Sequence, residues 1–306
     1  MKKTSPTLLL LFITLMIAVP HTEAAIHALA LENFNLDDIE RSADTKKSSQ
    51  ELREGFRLTK SGLNEQAFKM FNLAAKRNEL TAYLALGVMH REGRGTPKSL
   101  KLAKEHFKKA SAKGSQHAYE ELMLLRFISP ENPEEFADAR KKIEEFASSG
   151  MAVAQLRLGL AHLTGYGYTA DATKAIDYLT QAAESTGPFK HDAAHVLGKL
   201  YRDGNLKPEV KPDTKRAVSW FKKAARNKHP GAIRALGELH LSSDPAIQDY
   251  ASAHELFSEL DQLGDSYGLY YLGQMSENGW GVEKSAESAA GYYRKAVDKK
   301  VPPALY

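Results

Sequence analysis

The chain of 306 residues contains no cysteine. That excludes a disulfide framework and also the acylated cysteine that anchors bacterial lipoproteins, so stability has to come from packing. Long apolar runs are nearly as scarce. The longest, Leu8 to Val19, has 12 residues, short of the roughly 20 that a bilayer-spanning helix needs. Charge of one sign is not in excess either: 42 Lys+Arg face 38 Asp+Glu, a formal net charge of +4 spread along the whole chain. That is not the composition of a nucleic-acid binder.

What the first residues do carry is a basic start, Met1-Lys2-Lys3, then the apolar run, then Thr22-Glu23-Ala24 with small residues at the −3 and −1 positions. The pattern predicts a secretory signal peptide over residues 1–24 and hence a periplasmic or secreted mature protein. Losing Lys2, Lys3 and Glu23 would leave a formal charge of +3. Residues 25–49, acidic and then basic with scattered apolar residues, read as an N-terminal arm or short capping segment.

From residue 50 to the end the chain repeats itself. Laid on itself at 36 residues, with one step of 42, it aligns Ala67, Ala103, Ala139, Ala175, Ala217, Ala253 and Ala289, and four residues later Phe71, Phe107, Ile143, Leu179, Phe221, Phe257 and Tyr293. An upstream column reads Gly87, Met123, Gly159, Gly198, Gly237 and Gly273, each after a leucine; five residues before it stand Ala82, Ala118, Ala154, Ala193, Ala232 and Gly268. A packing constraint recurs wherever the packing recurs, so these columns predict stacked helix pairs, A and B, with small residues where the axes approach within the usual 8–10 Å. The A to B loops carry GRG from Gly93, GYG from Gly165 and GWG from Gly279, glycine where the chain turns through positive φ. A phosphate-binding loop would need a preceding strand and a longer motif.

The segments "LGKLYRDG" with "DTKRAVSWFKKAARN", and "LGQMSENGWGVEKSAESAAGYYRKA", resemble the Sel-one-like repeat, a longer-looped relative of the tetratricopeptide repeat. Leu197, Gly198, Tyr201, Gly204, Asp213, Ala217, Trp220, Phe221, Ala224 and Ala225 match its pattern best. The resemblance implies an all-α fold, a right-handed α/α solenoid of about seven helix pairs over residues 50–306. Two units depart from the pattern. The first lacks the long loop, with Gly55, Gly62, Ala67 and Ala74 in register, and the second has Met123 for glycine and "SPENPEE" for its loop.

Candidate chemistry is thin. His90, His162 and His240 each follow the glycine column by three residues, but on separate units, where helix spacing forbids a shared ion needing about 2.0–2.1 Å to each nitrogen; they read as half-buried rings, with no metal or cofactor expected. "SWFK" at Ser219, "SEN" at Ser276 and "KSG" at Lys60 match fragments of serine-enzyme motifs, but on helices or turns rather than converging at a sheet edge. The basic run Lys215, Arg216, Lys222, Lys223, Arg226 and Lys228 reads as the solvated face of a B helix, or as a grip on anionic glycan.

Carrying the tetratricopeptide register over puts His195, Lys199, Arg202, Arg234, Glu238, Tyr270 and Gln274 on the concave, protein-binding face, with Leu84, Val88, Leu156 and Leu160 forming an apolar end. The resemblance implies a non-enzymatic adaptor or scaffold for protein partners in the cell envelope, since relatives serve in exopolysaccharide export, flagellar motors and envelope signalling. Direct contact with polysaccharide is the alternative. Tyr292, Tyr293 and Val297, with only Leu305 and Tyr306 after them, also suggest self-association through the C-terminal end.

Overall fold

The computed structural model describes residues 35–42, 48–187, 189–204 and 210–298. The expected signal peptide, the C-terminal tail with Leu305 and Tyr306, and much of the long loop before Pro212 lie outside them. Among the described residues there are fifteen helices and no strand. A short helix, α1 (Leu36–Ser42), precedes seven A/B pairs: α2 (Gln50–Lys60) with α3 (Asn64–Lys76), α4 (Leu80–Glu92) with α5 (Leu100–Ser111), α6 (Gln116–Ile128) with α7 (Pro133–Ser148), α8 (Ala152–Thr164) with α9 (Ala172–Glu184), α10 (Lys190–Asp203) with α11 (Thr214–Ala225), α12 (Pro230–His240) with α13 (Tyr250–Gln262), and α14 (Tyr267–Asn278) with α15 (Ala286–Asp298). The chain divides into two compact units, one up to Leu158 and one from Gly159. Each is built from consecutive pairs in which a helix packs on the next in sequence.

The two small-residue columns do different jobs. Glycine in an A helix makes room for the large side chain of its own B helix. A Cβ added at Gly87 would lie 2.6 Å from Phe107, at Gly198 2.5 Å from Phe221, at Gly237 2.6 Å from Phe257 and at Gly273 2.5 Å from Tyr293. The other column meets the preceding B helix: a Cβ at Gly268 would fall 2.5 Å from the Phe257 carbonyl and 2.6 Å from the Asp261 nitrogen. The seven alanines of the B helices are at most 3% exposed.

The second departing unit shows the same rule in mirror form. Met123 fills the glycine position, and its column partner is the smaller Ile143; both are buried and both helices are regular. Volume has moved from the B helix to the A helix, the kind of exchange that cores tolerate best.

Loops repeat as closely as helices. The carbonyl three residues after each glycine accepts the N–H of the residue that caps the B helix: Ser99 to His90 (2.8 Å), Asp171 to His162 (2.9 Å), Asp213 to Tyr201 (2.7 Å), Asp249 to His240 (2.9 Å) and Ser285 to Ser276 (2.9 Å). The capping side chains then accept from the first turn, as when Asp213 Oδ1 takes the Arg216 N–H at 2.9 Å and Asp249 Oδ1 that of Ser252 at 3.0 Å. Within GRG and GWG the first glycine ends the A helix in the left-handed region, φ 75° at both Gly93 and Gly279. The second has a further reason to be glycine. A Cβ on Gly281 would sit 2.7 Å from Tyr250 Cβ, because this loop lies on the start of the preceding B helix and stacks Trp280 on Tyr250.

These contacts give a direct expectation for the alanine column. Ala175→Leu and Ala217→Leu should each destabilise by about 1–3 kcal/mol, the usual cost of overpacking. Unchanged denaturant midpoints for both variants would overturn the packing assignment.

Candidate functional site

Three successive A helices of the second unit, α10, α12 and α14, carry all seven residues expected on the binding face. Lys199 is exposed, and His195, Arg202, Arg234, Glu238, Tyr270 and Gln274 are half-buried. Opposite the strip these helices are buried at Leu197, Leu236 and Leu272, and on the adjoining flank at Gly198, Gly237 and Gly273. The strip is therefore the side of each helix left over after both packing columns are satisfied.

Its side chains are knitted across the three pairs. Arg202 lies 3.6 Å from Glu238 and is bound at 2.7 Å by its own neighbour Asp203; that hydrogen bond, with the charges of Asp203 and Glu238, raises the guanidinium pKa against the opposing effect of burial. Glu238 also accepts from the hydroxyl of Tyr271, a residue that the sequence register left out. Burial and then this bond push the Tyr271 phenol well above its ordinary value. Tyr271 stacks on Phe257 at 4.4 Å, so the polar strip is bolted to a ring of the core. Gln274 donates to the Tyr270 hydroxyl at 2.9 Å, and Arg234 covers the Tyr267 ring at 4.5 Å.

At the other end of the strip His195 sits 4.6 Å from the ring of His229. His229 Nδ1 accepts the Ala232 N–H at 3.1 Å, capping α12. Its Nε2 lies 3.5 Å from Asp192, so both ring nitrogens face partners within the fold. Burial first, then the neighbouring His229 and Lys199, lowers the His195 pKa to about 3. Free in the unfolded chain, His195 takes up a proton near pH 6.5, whereas in the fold it stays neutral to about pH 3. Its contribution is thus fully present above pH 6.5 and is lost as pH falls toward 3, at up to about 1.4 kcal/mol per pH unit. His195→Gln should lose less stability than the wild type between pH 7 and 5 in urea titrations; identical slopes would mean that the ring is protonated in the fold.

Other expected features are placed differently. Leu84, Val88, Leu156 and Leu160 are buried, which corrects the expectation of an apolar end to the groove. The cause is that α4 from Leu84 to Arg91 and α8 from Val153 to His162 are covered on every side, as helices with apolar residues around most of their circumference must be. His90, His162 and His240 are buried rather than half-buried, at 7% exposure or less. One of them ties the A to B loop: His240 Nδ1 lies 2.7 Å from the Ile247 carbonyl. Among the described residues no group of three or more His, Cys, Asp or Glu is placed to hold a metal ion, and no helix is long and apolar enough to cross a membrane.

The basic run lies on α11 and the turn that follows it. Lys215, Arg216, Lys222, Arg226 and Lys228 are exposed, with Arg216 3.3 Å from Asp213 and over the Tyr201 ring, and Lys223 over Trp220. A cleft of about 410 Å³ opens beside it, lined by Ala172 and Ile176 of α9, Tyr201, and Val210 to Asp213; it contains none of the strip residues. Ser276 is buried within α14, and Ser219 stands in the middle of α11. Val297 is 51% exposed on α15, while the Tyr293 hydroxyl bonds Glu277 at 2.7 Å.

A third charged group was not expected from sequence at all. In the first unit, Arg91 of α4 is 0% exposed and binds Glu121 of α6 at 2.7 Å and Glu92 at 2.8 Å. Glu121 also opposes the desolvation of buried Arg157 on α8, whose pKa burial lowers to about 10. One acid flanked by groups from the A helices before and after it is the plan of Arg202, Glu238 and Tyr271 too, there half-open to solvent.

Known proteins carry the same architecture. A crystal structure of a Sel1 repeat protein from Oxalobacter formigenes superposes with a TM-score of 0.61 at 24% identity, over 81% of this chain and 100% of that one. A protective antigen present in uropathogenic Escherichia coli strains, displaying an SLR fold, gives a TM-score of 0.56 at 24% identity, over 87% of this chain and 57% of that one. An uncharacterized protein of Neisseria meningitidis serogroup B is 27% identical over 202 residues, which span 64% of this chain and 41% of the relative's length. The family model of the Sel1 repeat matches residues 54–79, 80–115, 152–186, 191–229, 230–260 and 266–301. The one pair it passes over is α6/α7, where Met123 replaces glycine. With six repeats matched in the register of its helix pairs, this chain belongs to the Sel1 repeat family.

Proposed function

We propose that this Sel1 repeat chain is a non-enzymatic adaptor, exported to the periplasm or beyond after loss of residues 1–24, which holds envelope proteins through the strip on α10, α12 and α14. The observation that carries the reading is the prearranged polar and aromatic surface spanning three successive repeats, with Lys199 exposed on α10, Arg234 over the Tyr267 ring and Gln274 bonded to Tyr270. Because Arg202, Glu238 and Tyr271 are already tied to one another, little side-chain freedom is lost when a partner docks. The same pairing leaves the acid of the strip bound rather than poised for proton transfer.

The exposed basic face of α11 favours a second reading, direct contact with an anionic glycan. Photocrosslinkers at Lys199 and at Lys222, used in cells and followed by mass spectrometry, separate the two. Specific protein adducts from the Lys199 position support the adaptor; glycan adducts from Lys222 with no protein captured at Lys199 overturn it. Mass spectrometry of the soluble protein tests export, which an intact residue 1 would contradict.

A further inference from the structure

We propose that the A-helix face of the first two pairs, on α2 and α4, is a binding groove for a short amphipathic helix with two apolar anchors one turn apart and acidic flanks, and that α1 is its intramolecular occupant.

The helix α1 packs on α2 and α4, the A helices of consecutive pairs. Its two apolar side chains, Leu36 and Ile39, are 1% and 0% exposed, whereas Asp37 and Arg41 face solvent. This is the helix-in-groove mode, with anchors at i and i+3. The helix α4, on which α1 packs, is apolar, and its Leu84 and Val88, which the repeat register assigns to a binding face, are both buried. A charge pair closes the edge, Glu40 to Lys60 of α2 at 2.8 Å.

Seven residues are too few for a helix to persist alone, isolated helices below about 12–15 residues being marginal in water. The segment carries its own start signal instead. Asn35 Oδ1 accepts the N–H groups of Asp37 (2.9 Å) and Asp38 (3.0 Å), and Asp38 returns a bond to the Asn35 N–H at 3.1 Å, a reciprocal capping arrangement. A cap moulded into the core would share its columns with the repeats. Among the described residues α1 shares none: it has no glycine or alanine column, no B helix of its own, and two anchors, Leu36 and Ile39.

A segment held by two anchors and one ion pair sits at the low end of local stability. Tethered in cis it faces the groove at an effective concentration of the order of millimolar, so a partner helix of the same chemistry displaces it by binding more tightly, not by unfolding the repeats.

The test uses the full chain. A fluorescein-labelled peptide of residues 31–46 is titrated against wild type and against the double variant Leu36→Asp/Ile39→Asp. The expected result is binding to the variant at least about tenfold tighter than to wild type, and none by a peptide bearing the same two changes. Equal binding to both proteins, or to neither, overturns the proposal. Native-state hydrogen exchange on the wild type is independent of any variant and decides alone should the double variant fail to fold. Amides of α1 that exchange while α2 and α4 stay protected support a displaceable occupant; exchange of all three only together makes α1 an integral cap and ends the idea.

Discussion

Replacing Glu121 with alanine is expected to cost about 3–5 kcal/mol, the usual effect of removing one partner from a buried ion pair. The carboxylate is 3% exposed and sits between two guanidinium groups that have left water, Arg91 at 0% and Arg157 at 4%. Without it, Arg91 loses its 2.7 Å bond to Glu121 and Arg157 loses the charge that opposes its desolvation. Unfolding in urea, followed by far-UV circular dichroism, measures the loss; a change below about 1 kcal/mol would mean that water or a rearranged side chain already serves these groups. A sharper version replaces the three charges together, Arg91→Met, Glu121→Leu and Arg157→Met. Removing whole buried ionic groups is often neutral or stabilising, so the triple variant should be more stable than Glu121→Ala alone. If it were the less stable of the two, the charges would be contributing net attraction.

The second large effect is expected at Phe257, where truncation to alanine should cost about 3–5 kcal/mol through lost burial and the cavity left behind. This ring occupies the space kept open by Gly237 and carries Tyr271 stacked on its other side, so the damage should reach the surface strip. Crosslinking from the Lys199 position should fall in the same variant even where it remains folded. The Met123/Ile143 pair supplies the control. Gly237→Met alone must drive a side chain into Phe257, whereas Gly237→Met with Phe257→Ile reproduces an arrangement that the chain already uses. A double-mutant cycle should give a favourable coupling of about 0.5–3 kcal/mol. Additive costs would show that the two columns are not partners.

The columns were legible in the sequence because packing leaves the same gap at every repeat, and the gap is filled by a small residue on one side and a large apolar one on the other, or by the exchanged volumes of Met123 and Ile143. The strip was legible for a related reason: once both packing faces of an A helix are fixed, the remaining side follows from 3.6 residues per turn. Tyr271 was missed because it belongs by register to the flank of α14 and joins the strip only through its hydroxyl's reach to Glu238. The buried charges of the first unit were missed because charged residues on a helix usually mark its wet side. Their signal was present all the same, in that Arg91 directly follows a run from Leu84 to His90 that holds no Asp, Glu, Lys or Arg. The apolar end was misjudged since a single repeat unit, read alone, does not reveal what lies over its A helix; for α4 it is α1.

The bond between the A-helix carbonyl and the capping residue of the B helix has a practical consequence. It closes the loop at 2.8 Å between His90 and Ser99 and at 2.7 Å between Tyr201 and Asp213, although the second loop is longer by three residues. Register is therefore set at the two ends of the connection and not by its length, and closing a longer flexible connection adds only about 0.6 kcal/mol for each doubling. The interval between Tyr201 and Asp213 is accordingly a natural insertion port: an epitope, a fluorophore-binding peptide or a small guest domain placed there should be carried by the scaffold with both flanking helices still in step.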